Sequence, residues 1–129
     1  MSRLTFTHSH RLTRRPEFQA CYGAGRRFFS KNFVLFVMER SADPEGWRLG
    51  LAVTRKTGTA VQRNRVKRVL REFFRLHQHV LPDDADIIAV PKRHLRPERV
   101  TLGLVTQELL PLVAALRQDA TRTAENGAP

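Results

Sequence analysis

Residues 59–76, from Thr59 to Leu76, read TAVQRNRVKRVLREFFRL, and this stretch decides how the rest of the chain must be arranged. At ~100° per residue, Val66, Val69, Leu70, Phe73 and Leu76 fall within an arc of about 120°. Arg63, Asn64, Lys67, Arg68, Arg71 and Arg75 share the opposite sector, bordered by Arg65 and Glu72 on the far side and by Phe74 on the near side. The pattern predicts an amphipathic helix from about Ala60 to His79, with Thr59 as its N-cap. Its apolar stripe needs a core to lie on. Its other face carries like charges four residues apart, Arg63/Lys67, Lys67/Arg71 and Arg71/Arg75, each destabilising a helix by ~0.2–0.5 kcal/mol. A merely solvated face would interleave acids, yet Glu72 is the only one in this segment. A cost so consistent in sign points to a polyanion that offsets it, and Arg forks beside an Asn amide suit a phosphate-rich RNA groove.

Composition agrees. The chain has 129 residues, enough for one compact domain. Its 41% apolar content supports a modest core, while 23 Lys plus Arg against 12 Asp plus Glu leave a net charge of +11. An excess of that size points to nucleic acid ahead of an anionic membrane. No run approaches the ~20 apolar residues of a membrane-spanning helix, and the first residues lack a signal-peptide core. Cys21 is the single cysteine, which excludes an internal disulfide and a cysteine-based zinc site. The expected location is the cytoplasm, with no membrane partner and no obligate protein partner.

Upstream of the helix, Trp47, Leu49, Leu51 and Val53 alternate with Arg48, Gly50, Ala52 and Thr54, the period of a strand. Before that, the apolar run from Asn32 to Arg40 predicts a strand buried on much of both faces. Ser41 to Gly46 reads as a turn, so the two strands are expected to form an antiparallel hairpin. Pro16 to Tyr22 predicts a short helix, with Glu17 in its first turn and Gly23 and Gly25 after it. Phe18 and Tyr22, four apart, share one of its faces.

Downstream, Pro82-Asp83-Asp84 ends the central helix and Ile87 to Val90 predicts a short buried strand. Pro91 to Pro97 is a basic connection. A last helix is expected from Pro97-Glu98, with Leu102, Val105, Leu109, Leu112 or Val113, and Leu116 on one side, kinked or divided at Pro111. The order αββαβα gives an α+β class: a single-domain sandwich in which helices pack on a small mixed sheet. Residues 1–10 are expected as a flexible arm, 11–118 as one RNA-binding domain and 119–129 as a disordered tail.

Taken as one unit, the fourteen residues Arg55 to Arg68 resemble the signature of the bacterial ribonuclease P protein component. They carry the basic pair Arg55-Lys56, Gly58, Ala60-Val61, then Arg63-Asn64-Arg65 followed by Lys67-Arg68, in that family's spacing, and Arg71-Glu72 continue as in many members. The similarity runs from about Arg11 to Arg93. Arg11-Leu12, Glu17-Phe18-Gln19, Tyr22, Gly25 and Phe33 to Phe36 match the family's first helix and the strand after it.

The resemblance implies a ribosomal-protein-like α/β sandwich with a left-handed βαβ crossover through the arginine-rich helix. It implies a ribonucleoprotein endonuclease that removes the 5′ leader of precursor tRNA, with Mg²⁺ as cofactor held mainly by the RNA subunit and the substrate. In this chain Arg63, Asn64, Arg65, Lys67, Arg68, Arg71 and Arg75 would bind the catalytic RNA. Phe18, Tyr22 and Phe36 would receive the leader, with Arg55, Lys56 and Lys92 along the rim. Unpaired bases stack on aromatic faces with little sequence preference, as a protein serving many leaders requires.

No protein residue is expected to be catalytic. A protein metal nuclease needs several carboxylates converging on its cations, and the one acidic cluster, Asp83, Asp84 and Asp86, suits a turn. His77 and His79, two apart on a helix, are expected to face different ways. The competing readings are a structural RNA-binder such as a ribosomal protein, lacking the leader cleft, and a protein-only nuclease.

Overall fold

The computed structural model describes residues 11–39, 47–82 and 85–125, with side chains to residue 116. The expected arm, the expected turn at 41–46, Asp83 and Asp84 therefore lie outside the described residues.

Helix α1 spans Arg15–Ala24, and Glu17 reaches back to accept from the backbone N–H of Arg14 at 3.1 Å, stabilising its start. Strand β1 (Arg26–Phe29), β2 (Phe33–Glu39) and β3 (Arg48–Leu51) follow, then α2 (Ala60–Leu76), β4 (Ala85–Pro91) and α3 (Leu102–Glu125). Helix α3 is continuous through Pro111, so the proline does not divide it, and its backbone carries on past the boundary expected at 118.

The sheet order is β1-β2-β4-β3, with β4 antiparallel to β2 and parallel to β3. The expected β2–β3 hairpin is therefore not formed: β4 inserts between the two strands. The reason lies in β4 itself, where Ala85, Asp86, Ile87, Ile88 and Ala89 are all buried. A strand apolar on both faces has to be paired on both edges and covered from above and below. Alternation along β2 and β3 reports which face is buried, not which strand lies alongside. Strand β1 is an addition to the expected order, giving αβββαβα. It is only four residues long and pairs antiparallel with β2.

Two helices cover one face of the sheet. Val66, Leu70, Phe73 and Phe74 of α2, with Val105, Leu109, Val113 and Leu116 of α3, pack on Phe33, Leu35, Val37, Leu49, Ile87 and Ala89. Among the described residues the other face carries α1 alone, where Cys21 and Ile88 form a smaller core with Leu12, joined by Phe18, Phe36, Met38 and Val90. Because α1 is short, this second face is only partly roofed.

Candidate nucleic-acid interface

The cationic helix is held at its start by a reciprocal cap. Thr59 Oγ1 accepts from the N–H of Gln62 at 3.2 Å, and Gln62 Oε1 accepts from the N–H of Thr59 at 2.8 Å. Gly58 precedes it at φ 153°, where a Cβ would also meet Gln62 Oε1. The apolar stripe read from the sequence faces the core, and it also takes in Phe74, which is fully buried edge-to-face against Phe73.

The opposite face is exposed at Asn64, Arg65, Arg68 and Arg71 and half-buried at Arg63, Lys67 and Arg75. Arg65 Nη2 donates to the carbonyl of Val100 at 3.2 Å, joining the first turns of α2 to the lead-in of α3. Arg63 Nε is buried and has no acceptor among the described residues. Lys67 and Arg71 line a hollow of about 170 Å³ together with Arg11 and Phe18. There, burial and the facing charge of Arg11 press the Arg71 guanidinium below its ordinary pKa. Arg75 differs from the rest, since its Nε and Nη2 donate to the two oxygens of Glu72 at 3.0 and 2.5 Å.

Phe18, Tyr22 and Phe36 come together on the face carrying α1. Tyr22 meets Phe36 edge-on, with centroids 4.7 Å apart and planes at 84°, and lies 6.4 Å from Phe18. Phe18 rests on Gly50, where a Cβ would stand 2.7 Å from its Cζ, so the close approach of α1 to β3 depends on a glycine at that position. Tyr22 remains 40% exposed, so this cluster presents aromatic surface to solvent rather than lying in a closed core. Burial, with a smaller push from Cys21, raises the Tyr22 pKa.

The topology brings Arg55, Lys56 and Lys92 to one end of the sheet. Strands β3 and β4 are parallel, so the segments leaving both emerge on the same side. Arg55 and Lys56 follow β3 in a single exposed 3-10 turn, and Lys92 follows β4. The antiparallel strands β2 and β1 begin and end, respectively, at that same side. Phe29, the last residue of β1, is therefore there too, 59% exposed, with Lys92 Nζ 5.6 Å above its ring. Sequence pattern gives little reason to single out Phe29, because Arg26-Arg27-Phe28-Phe29 is too short for a visible alternation.

An ion network beneath α1 is a further feature that spacing does not reveal. Asp86 is fully buried and takes two hydrogen bonds from Arg48, whose Nη1 also donates to Glu17 at 2.5 Å. The expectation of a turn-forming Asp86 is corrected accordingly: it lies inside β4 as the buried partner of a strand arginine. His77 and His79 also differ from expectation. Helix α2 ends at Leu76, and their rings stack 6.4 Å apart because His79 sits in a 3-10 turn rather than on the helix.

No helix among the described residues is long and apolar enough to cross a membrane. A family profile described as Ribonuclease P matches residues 6–116. The ribonuclease P protein component of Oleidesulfovibrio alaskensis is 57% identical over 119 residues, which are 92% of this chain and 95% of the relative. That of Maridesulfovibrio salexigens is 49% identical over 118 residues, again 92% and 95%. Among solved structures, the RNase P protein from Thermotoga maritima is similar with a TM-score of 0.72 at 34% identity, covering 81% of this chain and 96% of that one.

Proposed function

The chain belongs to the ribonuclease P protein family, and we propose that it is the RNA-binding subunit of that endonuclease, docking on the catalytic RNA through α2 and gripping the 5′ leader of precursor tRNA in the aromatic cleft. The observation that carries this reading is the presence of two chemically different surfaces, which adjoin at the hollow where Lys67 and Arg71 approach Phe18. One is a helix face of cations with almost no acids. The other is an open aromatic cleft on the far face of the sheet, with its own cationic rim.

Each surface suits one job. On α2, Arg63, Arg65, Lys67, Arg68 and Arg71 offer forks and point charges for phosphates, with Asn64 among them, and such contacts fix register on a folded RNA. The buried Nε of Arg63 and the crowding of Arg11 with Arg71 are both relieved by an incoming anion. Arg75 contributes less in this reading, because Glu72 already offsets its charge. In the cleft, Tyr22, Phe36 and Phe18 offer aromatic surface to unpaired bases, at ~1–3 kcal/mol per base and with little sequence preference. Arg55, Lys56 and Lys92 would follow the leader backbone.

Catalysis in this reading belongs to the RNA subunit, and Mg²⁺ is held mainly by that RNA and the substrate. Among the described residues, no three His, Cys, Asp or Glu side chains converge as a magnesium cage would need, and most of the partly buried carboxylates are already held. Asp86 and Glu17 are held by Arg48, Glu72 by Arg75, and Glu108 by Ser30 and Asn32. The protein positions the scissile phosphate and lowers the repulsion between two polyanions, a contribution that falls as salt rises.

The test is binding by the reconstituted holoenzyme. Replacing Phe18, Tyr22 and Phe36 with Ala should weaken precursor tRNA binding and leave mature tRNA binding unchanged. Equal loss for both would remove the cleft from the mechanism. Mg²⁺-dependent cleavage by the RNA-free chain would overturn the non-catalytic role.

A further inference from the structure

Strand β1 places two side chains on the partly roofed face of the sheet. Antiparallel pairing sets Arg27 opposite Phe36 and Phe29 opposite Val34, so both share the face on which Tyr22 and Phe36 meet. The next strand continues that floor, with Val90 opposite Val34 and Ile88 opposite Phe36. The floor is half-buried at Val34 and Val90, and Phe29 stands at its margin, the most exposed aromatic side chain among the described residues. An aromatic ring so exposed on an edge strand is a liability for a free protein. Its cover here is the ammonium of Lys92, at 5.6 Å.

The charges around Phe29 select its occupant. Arg27, Lys31 and Arg93 are exposed near this end of the sheet, and Lys92 is above the ring. Among the described residues that β1, β2 and β4 direct to this face, the one acid is Asp86, buried and bound to Arg48. An aromatic platform edged by cations fits an unpaired base flanked by phosphates. From Phe36 to Phe29 is one strand across and two residues along, a step of ~8 Å by sheet geometry. Phe29 thus lies beyond the Tyr22–Phe36 contact along a continuous floor.

We propose that Phe29 is a second stacking station for the 5′ leader, receiving a base more distal than those held at Tyr22 and Phe36, with Lys92 turning from the ring to the adjoining phosphate. This rests on the leader-cleft reading above and extends it to a residue on the edge strand. The consequence is a dependence on leader length. Short leaders end before reaching Phe29, while longer ones gain its contact.

The experiment measures holoenzyme affinity for a set of precursor tRNAs whose leaders are lengthened one nucleotide at a time. The parent should gain affinity in two stages, and Phe29→Ala should lose only the later one, by roughly five- to a hundredfold. Tyr22→Ala should lose the earlier stage. Phe29→Trp should keep the later gain, and its fluorescence should be quenched by long leaders but not by short ones. A matched melting temperature checks that Phe29→Ala is folded. If Phe29→Ala keeps the parent's full length dependence while Tyr22→Ala weakens binding, the second station is wrong and the cleft stands. If neither variant alters precursor binding, both readings fail.

Discussion

Arg48 grips Asp86 through two parallel hydrogen bonds, Nε to Oδ1 at 2.8 Å and Nη2 to Oδ2 at 2.7 Å, at a place where Asp86 has no exposure to solvent. The same guanidinium holds Glu17, so one side chain ties β3, β4 and α1 together beneath the aromatic wall. Removing the cation strands a buried carboxylate, at a cost of ~3–5 kcal/mol. Arg48→Met should therefore lower the unfolding free energy by that much, seen as a lower urea midpoint at unchanged m. The pair Arg48→Met with Asp86→Leu should recover much of the loss. A single substitution costing less than ~1 kcal/mol would mean that the pair is not held as a buried unit.

Gly50 sets the height of α1 above the sheet. A Cβ there would lie 2.7 and 2.8 Å from Phe18 Cζ and Cε1 and 3.2 Å from Leu12 Cβ. The Phe18 ring cannot fold away as a flexible chain would, so α1 must shift. Gly50→Ala should destabilise by ~1–3 kcal/mol through overpacking. It should also weaken precursor tRNA binding while leaving assembly with the RNA subunit unchanged. Normal precursor affinity in that variant would show that the seat of Phe18 is irrelevant to the cleft.

The α2 cations should separate by salt dependence. Removing one phosphate-binding cation should reduce the slope of log K against log salt by about 1. Arg63→Ala with Arg65→Ala should flatten the slope of assembly with the RNA subunit and weaken it. Arg75→Ala should have a smaller effect, because Glu72 already holds that guanidinium. An Arg75→Ala effect half that of the double variant, equal per cation removed, would argue that the face acts only through net charge.

Acid should loosen the contact between α3 and the β1–β2 turn. Burial pushes the Glu108 carboxyl up, but hydrogen bonds from Asn32 and Ser30 outweigh it and leave its pKa below the ordinary 4.5. The Glu17 carboxyl is likewise raised by burial but held lower by the Arg14 backbone N–H and by Arg48. With folded pKa values below the unfolded ones, the unfolded chain binds more protons as these groups titrate. Their stabilisation is complete above about pH 4.5 and is lost as pH falls through the lowered values. Glu108→Gln should flatten the acid limb of a stability–pH curve. A curve as steep as the parent's would assign that limb to other groups.

Much of this protein was legible along the chain because its signals are local. The face of α2, its Thr59 cap, the apolar strands and the shared face of Phe18 and Tyr22 all follow from spacing within a few residues. The signature from Arg55 to Arg68 lies within one turn and one helix, so its register survives folding intact. Periodicity could tell which side of each element is buried.

Periodicity could not tell what lies across from it. Strand order, the parallel pairing of β3 with β4 and the absence of the expected hairpin are decided by which strand most needs cover, a property of the whole core. The same holds for Arg48 with Asp86, separated by 38 residues, and for Phe18 on Gly50. It holds also for Phe29, which shares a sheet face with Phe36 only because the unforeseen strand β1 pairs with β2. Sequence determined the cationic helix and the aromatic residues. Only long-range strand pairing put those aromatics on the opposite face of the sheet from that helix's core-facing side, because backbone hydrogen bonds between strands carry no sequence label of their own.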